Sequence, residues 1–212
     1  MAVFTLPLIS THMPTDNRAV TNWKRAQHAY EHYQSFISAK PEKYALTFAD
    51  LVFVKNFKGG NAFLDEPVVT FAPKLQCYEA ALRACAADPS FSLTLSSIPN
   101  ADYNRVRDAI IAFATLPEQS VSDISGFGSS FASALLHFYF PLLVPILDKR
   151  ALNGSGVPGL QVDSYNNITN LLALYPTLID YCRARLQHNQ QLTLRELDRQ
   201  LFIEQLRTPP FN

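Results

Sequence analysis

Cysteine, glycine and a surplus of either charge are what this sequence has little of. Its three cysteines, Cys77, Cys85 and Cys182, form no close pair in 212 residues. That argues against a disulfide framework and against a four-thiolate zinc or iron–sulfur site. No stretch approaches the roughly 20 consecutive apolar residues that a bilayer-spanning helix needs. The opening MAVFTLPLISTHMPTDN also lacks a basic start and a long apolar run. A soluble, unprocessed, cytoplasmic protein with no membrane partner is therefore expected. The 18 basic and 18 acidic residues cancel, so the chain lacks the simplest electrostatic route to a polyanion. Their distribution is uneven: residues 17–60 hold seven Lys/Arg and three Asp/Glu, residues 61–123 four and eight, and residues 124–212 seven and six. An acidic middle of this kind can coexist with a basic face.

What is present is helical signal. With 48% hydrophobic residues, the chain can bury one substantial core or two small, closely packed lobes. Val20, Trp23, Ala26, Tyr30, Tyr33 and Ile37 recur at helical spacing, predicting a long amphipathic helix over 18–37. Thr47 can cap a short helix through Phe57, ended by Gly59-Gly60. Pro73 can start a helix to about Ala86, broken by Asp88-Pro89. Asn100 can cap a helix through Ala114 with Tyr103, Val106, Ile110 and Phe113 inward. A short helix over 120–124 precedes a glycine hairpin and an apolar helix over 129–140. Residues 154–159 read as a loop, 166–186 as a helix broken or kinked near Pro176, and Thr193-Leu194-Arg195-Glu196 as a capping box for the last helix. Short extended segments at 67–71 and 92–95 lack hairpin partners and count as irregular. The expected fold is all-α, two closely packed helical lobes within a single domain over 1–212, with the helix, hairpin and helix at about 120–140 and the N- and C-terminal helices forming one lobe.

The chemistry concentrates between Ile124 and Asn153. In Gly126-Phe127-Gly128-Ser129-Ser130, two glycines precede a helix, so backbone amides can face an anion without Cβ interference and the helix dipole adds positive potential. Asp148 follows in Pro145-Ile146-Leu147-Asp148. Each feature has a plain alternative, since Gly126 and Gly128 suit an ordinary turn and Asp148 suits the N-cap of a helix from Lys149. Capping and catalysis can coexist in one carboxylate.

Together these residues resemble the helix-hairpin-helix DNA glycosylase superfamily, whose signature is a Gly-hydrophobic-Gly hairpin, a buried helix and a catalytic aspartate. Over 124–153 the likeness is strongest to the adenine-excising branch, which also has serine at the position of Ser130. The resemblance implies double-stranded DNA as partner, base flipping, and removal of a modified, damaged or mispaired base, in repair or in defence against modified phage DNA. It implies Asp148 as the carboxylate that stabilises positive charge on the sugar. Gly126, Gly128, Ser129, Ser130 and Arg150 would hold phosphate. Bifunctional members carry lysine where Ser130 stands, so water is the expected nucleophile and the strand stays uncut. No organic or redox cofactor is implied, although a structural Na⁺ or K⁺ at the hairpin carbonyls is. The branch's iron–sulfur cluster is not expected, because one cysteine alone follows Asp148. Leu194 to Phe202 resembles the closing helix of small bacterial relatives.

Lys55-Asn56-Phe57-Lys58-Gly59-Gly60-Asn61 reads either as a surface turn or as a second DNA contact. In the latter, Lys55 or Lys58 meets phosphate and Asn56 or Asn61 reads a base edge; Lys149 is a further candidate. His28 and His32 have metal-ligand spacing but no third ligand, so partial exposure is expected. His137, Trp23, Tyr30 and Tyr33 fit core packing better than base contact. A monomer is the expected state. A non-catalytic DNA-binding protein and a helical interaction module are the competing functional readings.

Overall fold

The computed structural model describes residues 17–59, 64–165 and 167–205. Among these lie eight α-helices and no strand: α1 (Asn17–Ala39), α2 (Phe48–Phe57), α3 (Val68–Ala87), α4 (Asn100–Thr115), α5 (Ser129–Tyr139), α6 (Lys149–Ser155), α7 (Leu171–His188) and α8 (Leu194–Gln205). One isolated antiparallel bridge joins Val162 and Ile168. No described helix is long and apolar enough to cross a membrane.

Helix α5 lies at the centre of the packing of α1, α2 and α4. Every residue from Ala132 to Tyr139 is buried, which demands neighbours on all sides, and α1, α2 and α4 pack against it. Tyr33 and Ile37 of α1 point into this core, with Tyr33 stacked on Phe53 and edge-on to Phe138. Helix α4 buries Tyr103, Val106, Ile110 and Phe113, as their spacing predicts. Helices α6, α7 and α8 pack together, with Leu194, Leu197 and Leu201 buried, and α8 also touches α1.

A buried acid joins the start of α2 to α1 and α5. Asp50, with no exposed side-chain surface, accepts hydrogen bonds from Tyr33 Oη (2.9 Å), Lys40 Nζ (2.9 Å), Tyr139 Oη (3.2 Å) and the Thr47 amide (2.7 Å). A buried carboxylate is tolerable when it is paired and its lone pairs are filled in this way. The Thr193 capping box also forms, the Thr193 amide donating to Glu196 (2.9 Å) and the Glu196 amide to Thr193 Oγ1 (3.1 Å).

Several boundaries differ from the sequence reading for identifiable reasons. Helix α3 starts at Val68, and Pro73 lies inside it. The turn before Pro73 is exposed, Val69 at 83%, so water can solvate the carbonyl that proline leaves without a donor. Asn100 is the first residue of α4 and not its cap, and its side chain accepts from Arg183 (2.9 Å). The helix expected over 120–124 is a single turn, Asp123 N to Gln119 O (2.8 Å), after a 3₁₀ turn at Leu116–Glu118 opened by Pro117. Residues before Leu171 are looped because Asp163 accepts the amides of Tyr165 and Asn167, and Asn170 bonds the Gly159 carbonyl. Pro176, like Pro73, sits within a continuous helix.

Gly154 and Ser155 belong to α6 rather than to a loop. A Cβ on Gly154 would lie 2.4 Å from the Leu201 carbonyl oxygen, so its missing side chain is what lets α6 and α8 touch backbone to backbone.

Candidate functional site

The hairpin forms as its glycines suggest, but the two glycines do different things. Phe127 N donates to Ile124 O (2.9 Å), closing a turn in which Gly126 has φ of +80°. That conformation is costly for any residue with a Cβ. Gly128 has φ of −78° and open space where a Cβ would stand, so nothing among the described residues requires glycine there. It forms the N-cap of α5, which no side chain among the described residues caps. The first-turn amides of a helix lack intrahelical partners. The Ser125 amide, on the other side of Gly126, donates to Glu66 (3.2 Å). The carbonyls of Ile124 and Gly128 accept amides from Phe127, Phe131 and Ala132. A carbonyl retains further acceptor capacity, so these oxygens could also ligate a monovalent cation.

Asp148 is placed by three side chains that grip the backbone leading to it. His137 Nδ1 donates to Val144 O (2.7 Å), Tyr175 Oη donates to Pro145 O (2.7 Å), and Ser133 Oγ accepts the Leu147 amide (3.0 Å) while donating to Ser130 O (2.9 Å). Ser133 therefore couples the hairpin helix to the residue before Asp148. Burial pushes the His137 imidazole down to about 3, so it is neutral. Replacing Ser133 with alanine leaves the buried Leu147 amide without its acceptor. Urea denaturation is expected to register a loss of about 1–3 kcal/mol. An unchanged midpoint would show that this amide finds another partner.

Asp148 itself is the N-cap of α6, with Oδ1 accepting the Ala151 amide at 2.8 Å. Its other oxygen, Oδ2, accepts from Lys58 Nζ at 2.7 Å. Capping and charge pairing thus use different oxygens of one group. Burial works to raise the carboxyl's pKa, but Lys58, the Ala151 amide and Arg150 outweigh it and hold Asp148 below the usual carboxylate range. Lys58 reaches it from the C-cap of α2, where Gly59 (φ +100°) turns the chain away.

Both residues line a cleft of about 820 Å³, within the ~300–1,000 Å³ range of small-ligand sites. Arg25, Lys58, Lys149 and Arg150 line it against Asp148 and Asp198, so its wall is basic although the chain is neutral. Trp23, Phe57, Ile146, Ile168, Leu171 and Phe202 supply apolar surface, and Arg150 lies over the Phe202 ring at 4.2 Å.

Of the residues singled out in sequence, Asp148, Ser130, Arg150, Lys149, Lys58 and Asn56 line this cleft. Gly126, Gly128, Ser129 and Lys55 are not in its wall. Asn61 lies outside the described residues. His28 and His32 are exposed on α1, and no group of three His, Cys, Asp or Glu side chains among the described residues could hold a metal. His137 is fully buried, and Tyr33 packs in the core. Trp23, expected in the core, is half-buried and forms part of the cleft wall.

One further residue of the cleft wall, Asp198, and the Arg195 that pairs with it went unrecognised in the sequence. Arg195 stacks over Trp23 (4.1 Å) and Tyr30 (4.6 Å) and donates to Gln27 (3.1 Å) and Asp198 (2.5 Å). Burial pushes the Asp198 carboxyl up to about 6, against the pull of Arg195 and with Asp148 adding to the rise. The available signal was their i, i+3 spacing between buried leucines of α8. Compared with protein-family models, with curated proteins and with solved structures, the chain finds no match.

Proposed function

We propose that this chain is a DNA base-excision enzyme of the helix-hairpin-helix kind, with Asp148 as its essential carboxylate. One observation carries the reading. Asp148, held ionised and rigid beside Lys58, lies on the same basic cleft wall as Ser130, which opens the hairpin helix.

Breaking an N-glycosidic bond places positive charge on the deoxyribose as the base departs, and a fixed carboxylate beside the sugar stabilises that state. The target bond is inaccessible within a stacked duplex, so the nucleotide must be flipped at a cost of a few kcal/mol. The aromatic and aliphatic walls of the cleft offer a base the stacking surface it loses. Backbone amides at Gly128, Ser129 and Ser130 would hold a flanking phosphate and set register without reading sequence. A Na⁺ or K⁺ on the hairpin carbonyls would support that turn structurally.

The test is incubation with duplexes carrying damaged, mismatched and phage-type bases, followed by hot alkali to reveal abasic sites. Release of a base from at least one duplex is expected. Binding without release from any of them would leave a non-catalytic DNA-binding protein. Phosphate docking is checked separately. Gly128→Asp introduces repulsion where an anion is expected, without strain from φ, and should weaken binding to all duplex sequences about 10- to 100-fold, since a hydrogen bond to a charged group contributes ~1.5–3 kcal/mol. Equal affinity in a salt titration would remove the hairpin from the interface.

A further inference from the structure

We propose that Lys58 is the nucleophile of this site, its Nζ forming a covalent imine with C1′ of the target deoxyribose and committing the strand to cleavage by β-elimination. The inference rests on the base-excision reading and replaces the water-only reaction expected from Ser130.

Position is the first argument. Lys58 Nζ lies 2.7 Å from Asp148 Oδ2, with 12% and 24% of the two side chains exposed, and both groups line the same cleft. The lysine comes from the C-cap of α2 and the acid from the N-cap of α6, so the pair exists only through folding. Lys58 occupies an inner position, aimed at the candidate catalytic acid.

The charge balance is the second argument. An ammonium in contact with Asp148 cancels much of the negative field that an oxocarbenium-like sugar would require, so a resident cation opposes a reaction in which the carboxylate acts alone. The conflict disappears if the lysine gives up protons and attacks. The arginines in the cleft wall, Arg25 and Arg150, cannot do this, because guanidinium keeps its proton.

The steps balance with no additional reagent. One of the three Lys58 ammonium protons passes to the departing base as the glycosidic bond breaks, its electron pair leaving with the base. The freed nitrogen lone pair forms the bond to C1′. A second proton leaves the resulting nitrogen through Asp148 to O4′ as the C1′–O4′ bond opens. The third remains on the iminium, so the single positive charge is conserved. Asp148 then stands beside C2′, where removal of a proton expels the 3′-phosphate.

Borohydride capture on a duplex with one aldehydic abasic site, generated by removing uracil from deoxyuridine, tests this without knowing the preferred base. Wild-type protein is expected to give a covalent protein–DNA band whose mass maps by peptide sequencing to Lys58. Lys58→Arg retains the positive charge and should lower capture at least 100-fold, whereas Lys43→Arg on the exposed turn after α1 should leave it unchanged. No adduct, an adduct mapping to any other amine, or undiminished capture by Lys58→Arg overturns the proposal. Mapping of the wild-type adduct decides the matter even if the variant misfolds. Base release from the duplex panel without borohydride capture would overturn Lys58 alone and leave the excision reading intact. Capture at Lys58 with no base released from any duplex would overturn excision and leave a lyase.

Discussion

Asp148→Asn is expected to slow base release by about 10²- to 10⁴-fold, the loss typical of removing a charged group that acts at the reacting centre, and to lower the melting temperature because the largely buried Lys58 loses its counter-charge. Asparagine is as good an N-cap as aspartate, so the contact with the Ala151 amide at 2.8 Å can survive. What disappears is the negative charge facing Lys58. Asp148→Ala makes the contrast informative, because it loses the same charge and removes the cap as well, costing about a further 0.5–2 kcal/mol. Single-turnover release and thermal melting of the two variants therefore separate charge from capping. Wild-type release by Asp148→Asn would show that this carboxylate is a cap and nothing more.

Gly154→Ala should have the largest effect on stability. On propensity alone, alanine in a helix gains about 1 kcal/mol over glycine. Here the added Cβ would fall 2.4 Å from the Leu201 carbonyl oxygen and 2.8 Å from its Cα. Backbone cannot swing aside as a side chain can, so α6 and α8 must separate. Overpacking typically costs about 1–3 kcal/mol and sometimes more, and this contact is expected at or beyond the upper end. Because α6 carries the Asp148 cap and α8 carries Asp198, the cleft should deform as the helices part. Chemical denaturation checks the first effect and Asp148-dependent base release the second. A variant as stable as wild type would mean that the two helices slide freely.

Local features were legible in the sequence wherever short-range physics decides them. The α1 stripe, the α4 stripe, the all-round apolarity of α5, the Thr193 capping box and the turn at Gly126 each depend on residues within one or two turns. So does Asp148 as an N-cap, since the cap and the amide it accepts are three residues apart. Pro73 misled for a complementary reason. The penalty of proline inside a helix depends on whether the freed carbonyl is in water, and exposure is not a local property of the sequence.

Neutral net charge did not anticipate a basic cleft wall, because Arg25, Lys58, Lys149 and Arg150 are gathered from α1, α2 and α6. Lys58 and Asp148 are separated by 90 residues, and nothing in either neighbourhood marks them as partners. Ser133, Tyr175 and His137 were ordinary interior residues until the backbone carbonyls and amide they bind came into reach. By itself the sequence determined an all-helical chain, a glycine hairpin and a capped acid, because helix periodicity, positive φ and capping act over a few residues. Only the tertiary structure decided that this acid shares its cleft and its charge with a lysine, because ion pairing depends on distance through space.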